Sequence, residues 1–345
     1  MSIRLWRRRL RQALIEQFLR MLRTEEVRQY LSLENADYGA IRRNVALFPD
    51  PYRPNQTSFT SRDADTLPPI FITGRFRSGS TLLWNIFRKM PEYTAYYEPF
   101  NERRWFDHQG RGSHIDSTHQ GVSEYWSEYG GLEQLGEHYR EDWIRERLYM
   151  GEHDFDHDMV RYISGLADAA EKRAVLQFNR VDFRLPWLKA NFPESPIIHI
   201  YRNPRDQWCS TLRDIESYPY QCKTEADFVD RFYLRMWVRD LCQQFPFLNQ
   251  YQQAHQYYNF YLLWQLSYSF GRQYSDISVS MEQLAQEPSK QTQQILEAVG
   301  YPNMQELPDL SFVKTQASKW PDYASDQWFT DIEQECNELL EDFLK

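Results

Sequence analysis

Three sets of residues in this chain have the types and spacing that phosphate chemistry requires. The first runs Gly74-Arg75-Phe76-Arg77-Ser78-Gly79-Ser80-Thr81. It follows the apolar run Pro69-Ile70-Phe71-Ile72-Thr73 and leads straight into a helical pattern of Leu82, Leu83, Ile86, Phe87 and Met90. A glycine-bracketed turn between strand and helix offers backbone N–H groups and a positive helix end to an anion. The second set is Arg202 with Ser210, eight residues later. Arg202 closes the buried-strand pattern Pro196-Ile197-Ile198-His199-Ile200-Tyr201, and Ser210 falls on the helix that Pro204 can begin. Arginine brings a planar fork to a phosphate dianion, and a hydroxyl on the next helix can donate beside it. The third is Glu98, at the end of a short predicted strand, Thr94-Ala95-Tyr96-Tyr97. There it would face the same cleft, and Pro99 biases it toward an extended backbone.

One position separates the first set from GxxxxGK[ST], the pattern that wraps nucleoside triphosphates. Gly74, Gly79 and Thr81 are in place, but Ser80 stands where the lysine belongs, and the cation lies inside the loop at Arg77. A nucleoside triphosphatase would also want an aspartate at the second strand end to hold magnesium, where this chain has Arg202. The pair points to a phosphate other than the terminal ones of ATP, bound without a metal.

Arg77-Ser78-Gly79-Ser80-Thr81 resembles, position by position, the 5′-phosphosulfate loop of sulfotransferases that use 3′-phosphoadenosine 5′-phosphosulfate (PAPS) as donor. Arg202 with Ser210 resembles that family's 3′-phosphate motif, and the likeness covers roughly residues 69 to 214. The resemblance implies that Arg75, Arg77 and residues 78 to 81 cradle the 5′ end, while Arg202 and Ser210 select the 3′-phosphate. A late basic loop with Lys314, Ser318, Lys319 and Trp320 would close over the nucleotide, Trp320 on adenine and Lys319 on the 3′-phosphate. The Glu98-Pro99 pair, twenty-one residues after Arg77, resembles the carbohydrate and tyrosine branches, where such a glutamate is the general base. The cytosolic branch uses a histidine, which keeps His108, His114 and His119 as alternatives. Arg180, in Asn179-Arg180-Val181-Asp182, stands where related proteins carry a lysine. It would hydrogen-bond the bridging oxygen of the leaving group rather than protonate it. The implied co-substrate is PAPS without metal, and the implied acceptor is a carbohydrate or phenolic hydroxyl. The residues themselves leave open an ATP-dependent phosphotransferase, a non-catalytic nucleotide-binding regulator, and an adaptor acting through its N-terminal segment.

The elements that must position these residues alternate strand with helix, which predicts an α/β fold with a parallel sheet covered by helices on both faces. Ligands of such sheets bind outside the carboxyl ends of the strands, where the motifs fall. The family resemblance makes this a sulfotransferase version of the phosphate-loop fold. The chain divides into an N-terminal basic amphipathic segment (1–48), a proline- and Ser/Thr-rich linker (49–68) and one large domain (69–345). Within the domain, residues 107–131 read as a long loop, 132–170 as helical, 174–178 as a strand and 185–190 as a short helix. Residues 225–272 read as mostly helical, 276–280 as a strand, and 283–299 and 326–344 as helices.

With 345 residues, 41% hydrophobic and 16% aromatic, the chain can bury a substantial core. A net charge of −9 argues against nucleic acid. Residues 1–28 hold eight arginines against Glu16, Glu25 and Glu26, a net of +5 that leaves −14 for the rest. That start can pack on the domain or a partner, or lie on an anionic membrane surface. Cys209, Cys222, Cys242 and Cys336 are scattered and no secretory leader is visible, which suggests a cytoplasmic protein, with peripheral membrane contact an option. His153 and His157 lack the glutamate of a zinc helix and the aspartates around them fail the calcium-loop pattern, so no metal site is expected. Neither Ser80 nor Ser210 sits in a GxSxG elbow, so nothing supports a serine-hydrolase reading.

Overall fold

The computed structural model describes residues 38–48, 52, 67–116, 118–119, 121–222, 227–251, 253–301 and 307–345. Residues 1–37 of the basic N-terminal segment and most of the linker lie outside these residues. Among the described residues five strands form one sheet: β1 (Ile70–Thr73), β2 (Tyr93–Tyr97), β3 (Arg173–Phe178), β4 (Ile197–Tyr201) and β5 (Ile277–Ser280). All neighbours pair in parallel, in the order β2-β3-β1-β4-β5. Every residue of β1 and β4 is buried, which a sheet achieves only when both of its faces are covered. The α/β parallel-sheet expectation holds.

Helices α1 (Tyr38–Arg43), α2 (Ser80–Arg88), α3 (His157–Ala169), α4 (Leu185–Asn191) and α5 (Pro204–Thr211) accompany the first four strands. Asp156 caps α3 through the Met159 N–H, and Asn203 caps α5 through the N–H groups of Arg205 and Asp206. Further along lie α6 (Leu234–Leu241), α7 (Tyr257–Tyr274), α8 (Met281–Gln286), α9 (Pro288–Ala298), α10 (Trp320–Tyr323) and α11 (Asp326–Leu344). The aromatic helix α7 is buried along nearly its whole length. Among the described residues no helix is long and apolar enough to cross a membrane.

Register brings the strand ends together. Thr73 pairs with Phe178 and His199, and Tyr97 pairs with Gln177. The segments after β1, β2, β3 and β4 therefore leave one edge of the sheet.

Two helical expectations are corrected. Residues 132–156 form short 3₁₀ turns at Glu133–Glu137 and Glu141–Ile144, and only 157–169 is α-helical. The reason is Arg184, whose buried guanidinium takes the carbonyls of Trp143, Glu146 and Arg147 at 2.8–3.0 Å and replaces helical partners. Over 225–272 the described residues form α6 and α7 separated by a 3₁₀ turn that begins at Pro246, a residue that cannot supply a helical N–H. Glu98 has φ 38, a left-handed backbone instead of the extended one that Pro99 favours.

Candidate active site

The turn between β1 and α2 is shaped by its glycines. A Cβ on Gly74 would lie 2.5 Å from the Ile200 carbonyl oxygen, so only glycine lets the loop leave β1 against β4. Gly79 caps α2 at φ 97, and a Cβ there would collide with the Met281 sulfur. Having no side-chain cap, α2 presents the first N–H groups of its initial turn to the space beyond the strand ends.

Arg77, at φ 68, and Arg202 face that space together. Arg77 Nε donates to Ser210 Oγ at 3.0 Å, joining the loop after β1 to helix α5. Its Nη1 donates to Thr118 Oγ1 at 3.2 Å and lies 3.5 Å from Asp116 Oδ2. Burial lowers the Arg77 pKa, Asp116 opposes that, and the neighbouring Arg202 charge lowers it further. Among the described residues the Arg202 guanidinium has a single long hydrogen bond, 3.5 Å to Gln316 Oε1, and its carbonyl is held by Trp264 Nε1 at 3.0 Å.

Glu98 is 7% exposed and tightly tied. Oε1 accepts from Asn179 Nδ2 at 2.5 Å, while Oε2 accepts from Asn101 Nδ2 at 2.6 Å and Arg180 Nη1 at 2.9 Å. Beside it, the Tyr97 hydroxyl lies 3.2 Å from Thr81 Oγ1, and burial together with the Glu98 charge pushes the Tyr97 phenol pKa up. Tyr97 stacks on Tyr125 with ring centroids 4.5 Å apart. His119 bonds the Tyr125 hydroxyl through Nδ1 at 2.6 Å, and burial pulls its pKa down against the pull of Asp116.

Arg77, Arg202, Glu98, Tyr97, Tyr125 and His119 line one cleft of about 380 Å³, whereas Ser210, expected at the site, holds Arg77 from outside that lining. Arg77 and Arg202 contribute its cations, Gly79, Ser80 and Thr81 the start of α2, and Glu98 its carboxylate. Tyr97, Trp105, His114, His119 and Tyr125 supply aromatic surface, and Lys314, Thr315 and Gln316 come from the late loop. Cations and unpaired helix N–H groups can hold phosphate, and a fixed carboxylate in the same cleft can take a proton.

Other residues expected at the site lie elsewhere. Arg75 is buried behind the loop, its guanidinium 5.0 Å from the Trp237 ring, and burial lowers its pKa to about 10. The Ser78 hydroxyl is buried and does not line the cleft, and its N–H is spent on the Arg75 carbonyl at 3.1 Å. Lys319 donates its backbone N–H to Asp206, and Trp320 packs against Arg205 at 5.0 Å. The late loop reaches the cleft instead through Lys314 to Gln316, because Asp206 also binds Ser318 and fixes the loop's far end against α5. Arg180 contacts Glu98 but does not line the cleft. His108 pairs with Glu133 at 2.8 Å, whereas His114 and His119 do line it.

Sequence reasoning missed Tyr97, Asn101, Asn179, Asp116 and Thr118 as site residues. Asn179 carried a signal, following β3 directly as Glu98 follows β2. Asp116 and Thr118 sit in a long loop whose path has no periodicity to read. Among the described residues no three His, Cys, Asp or Glu side chains are grouped to hold a metal ion.

A family model described as the sulfotransferase family matches residues 68–306. No curated protein matches the chain. Among solved structures, a sulfotransferase from Alicyclobacillus acidocaldarius aligns over 80% of this chain and 95% of that one, at 16% identity and a TM-score of 0.38.

Proposed function

Because this chain belongs to the sulfotransferase family, we propose that it moves a sulfuryl group from PAPS to an acceptor hydroxyl, carbohydrate or phenolic. The observation that carries this reading is the union of Arg77, Arg202, the open start of α2 and the carboxylate of Glu98 in one cleft. The donor is bound by separate devices for its two ends. Arg77, the Ser80 and Thr81 hydroxyls and the first N–H groups of α2 hold the 5′-phosphosulfate. Arg202, with Ser210 and the late-loop Lys314 that shares the cleft lining, holds the 3′-phosphate. Preorganised donors of this kind stabilise charge that grows on a departing phosphate without having to reorient.

In the transfer itself, the acceptor oxygen attacks sulfur in line as the bond from sulfur to the bridging phosphate oxygen breaks. The acceptor proton passes to Glu98, the electron pair leaves with 3′-phosphoadenosine 5′-phosphate (PAP), and Arg77 is placed to balance its charge. The wall of stacked Tyr97 and Tyr125 with Trp105 tilted against it suits an aromatic ring or a sugar face. The membrane role of the basic N-terminal segment, and a cytoplasmic setting, belong to the same proposal.

Thermal melting with PAP, AMP and magnesium-ATP tests it. Ligand at a hundred times its dissociation constant adds about 2.7 kcal/mol of stability. Stabilisation by PAP well beyond AMP supports the donor site. Stabilisation by magnesium-ATP alone would replace this reading with a phosphotransferase.

A further inference from the structure

Arg180 is 3% exposed in its side chain, and a cation that deep persists only with opposite charge and hydrogen bonds around it. Both come from one short segment. Nη1 reaches Glu98 Oε2 at 2.9 Å and Nη2 reaches Glu102 Oε2 at 2.8 Å, so a single fork spans two carboxylates four residues apart. Nη1 also donates to Asn179 Oδ1 at 2.6 Å. The guanidinium plane lies 5.0 Å from the Phe76 ring and 5.8 Å from the Tyr233 ring. Tyr233 closes the arrangement by donating its hydroxyl to Glu102 Oε1 at 2.8 Å. Burial lowers the Arg180 pKa, but Glu98 and Glu102 outweigh it and the net direction is upward.

Glu98 needs such a hold. Its φ of 38 is a conformation that a residue with a Cβ adopts only under constraint from its surroundings. The two asparagine amides fix the carboxylate's direction but bring no charge, and Arg180 is the cation bonded to it. Glu98 lines the cleft and Arg180 does not, so the arginine reaches the reacting atoms through the carboxylate alone.

From this geometry we propose that Arg180 is a positioning residue that clamps Glu98 in the orientation proton removal requires, with Glu102 and Tyr233 as its anchor. The inference rests on Glu98 being the base. Phe76, one of the faces packed on the arginine, belongs to the donor loop and lines the cleft, so the clamp ties that loop to the base.

The test is sulfuryl transfer from PAPS to 2-naphthol, followed as PAP release, with PAP binding measured by calorimetry on the same proteins. The variants are Arg180→Gln, Arg180→Lys, Glu98→Gln and the double variant. Arg180→Gln should lower kcat by about 10- to 100-fold with PAP affinity within about twofold of the parent, and Arg180→Lys should recover part of the loss. The double variant should turn over no more slowly than Glu98→Gln alone, because residues acting as one unit are not additive. A double variant slower by the full Arg180→Gln factor, or a tenfold loss of PAP affinity, overturns the proposal and returns Arg180 to the donor. Should Arg180→Gln fail to fold, Arg180→Lys alone and in the Glu98→Gln background makes the same comparison. Full activity in Glu98→Gln would sink the base assignment itself, whereas additive losses on top of a strongly reduced but measurable Glu98→Gln turnover would sink only the clamp.

Discussion

Replacing Arg202 with alanine should separate recognition of the 3′-phosphate from everything else the cleft does. The side chain has little structural work: among the described residues its hydrogen bond is the long one to Gln316. Its charge also presses on Arg77, so removing it relieves repulsion, and the unliganded protein should melt no lower than the parent. What disappears is a charge-assisted contact to a dianion, worth about 1.5–3 kcal/mol, or roughly 10- to 150-fold in affinity. AMP lacks the 3′-phosphate and should bind parent and variant within about twofold. Calorimetry with both ligands gives the two ratios directly. Melting gives an independent reading. At a PAP concentration that stabilises the parent by about 2.7 kcal/mol, a thirtyfold weaker variant gains only about 0.9 kcal/mol. Equal losses for PAP and AMP would show that Arg202 contacts a group common to both. No loss for either would remove Arg202 from the donor site.

Other parts of the geometry make separate predictions. Asp116→Asn should tighten PAP binding by up to about fivefold in calorimetry, because the partly exposed Asp116 competes for Arg77 at 3.5 Å; unchanged or weaker binding refutes that competition. Gly79→Ala should lose at least about 1–2 kcal/mol of stability in denaturant titration for its left-handed backbone at φ 97, more if Met281 cannot move, and should weaken PAP as the start of α2 shifts. Parent-like stability would contradict the turn. His199, on β4, is buried against α7 with its pKa lowered to about 3 by burial and by the Arg272 charge. The unfolded chain therefore binds the proton first. Stability from the neutral imidazole is complete above about pH 6.5 and is lost by about 1.4 kcal/mol per unit as pH falls toward 3. Denaturant titrations between pH 6 and 4.5 should show that slope reduced by one proton's worth in His199→Gln, while His255, lowered to about 4 by burial, keeps a similar slope in both proteins. An identical slope in parent and variant would exclude His199 as a source.

The sequence by itself determined the parts of this protein that depend on local chemistry. β1 and β4 were legible because a buried parallel strand must be apolar along its whole length, and the Gly74–Thr81 turn because only glycines fit where β1, β4 and Met281 crowd the backbone. The placing of Arg202 after β4 and Glu98 after β2 followed from strand ends alone, since parallel strands all finish at one edge. Tertiary structure decided which side chains at that edge turn into the cleft. Arg75 and Arg77 are two residues apart in one loop, yet one packs under Trp237 and the other meets Ser210, a difference set by residues more than a hundred positions away. Arg180, read from the sequence as a cation for the leaving group, is held by two carboxylates and two aromatic rings that come from other segments of the chain. The late loop was anchored by Asp206 at Ser318 and Lys319, which left Lys314 to Gln316 for the cleft. A spacing rule carries backbone geometry over a turn or a strand. The competition among distant partners for one charged side chain is settled only when the whole chain has folded around it.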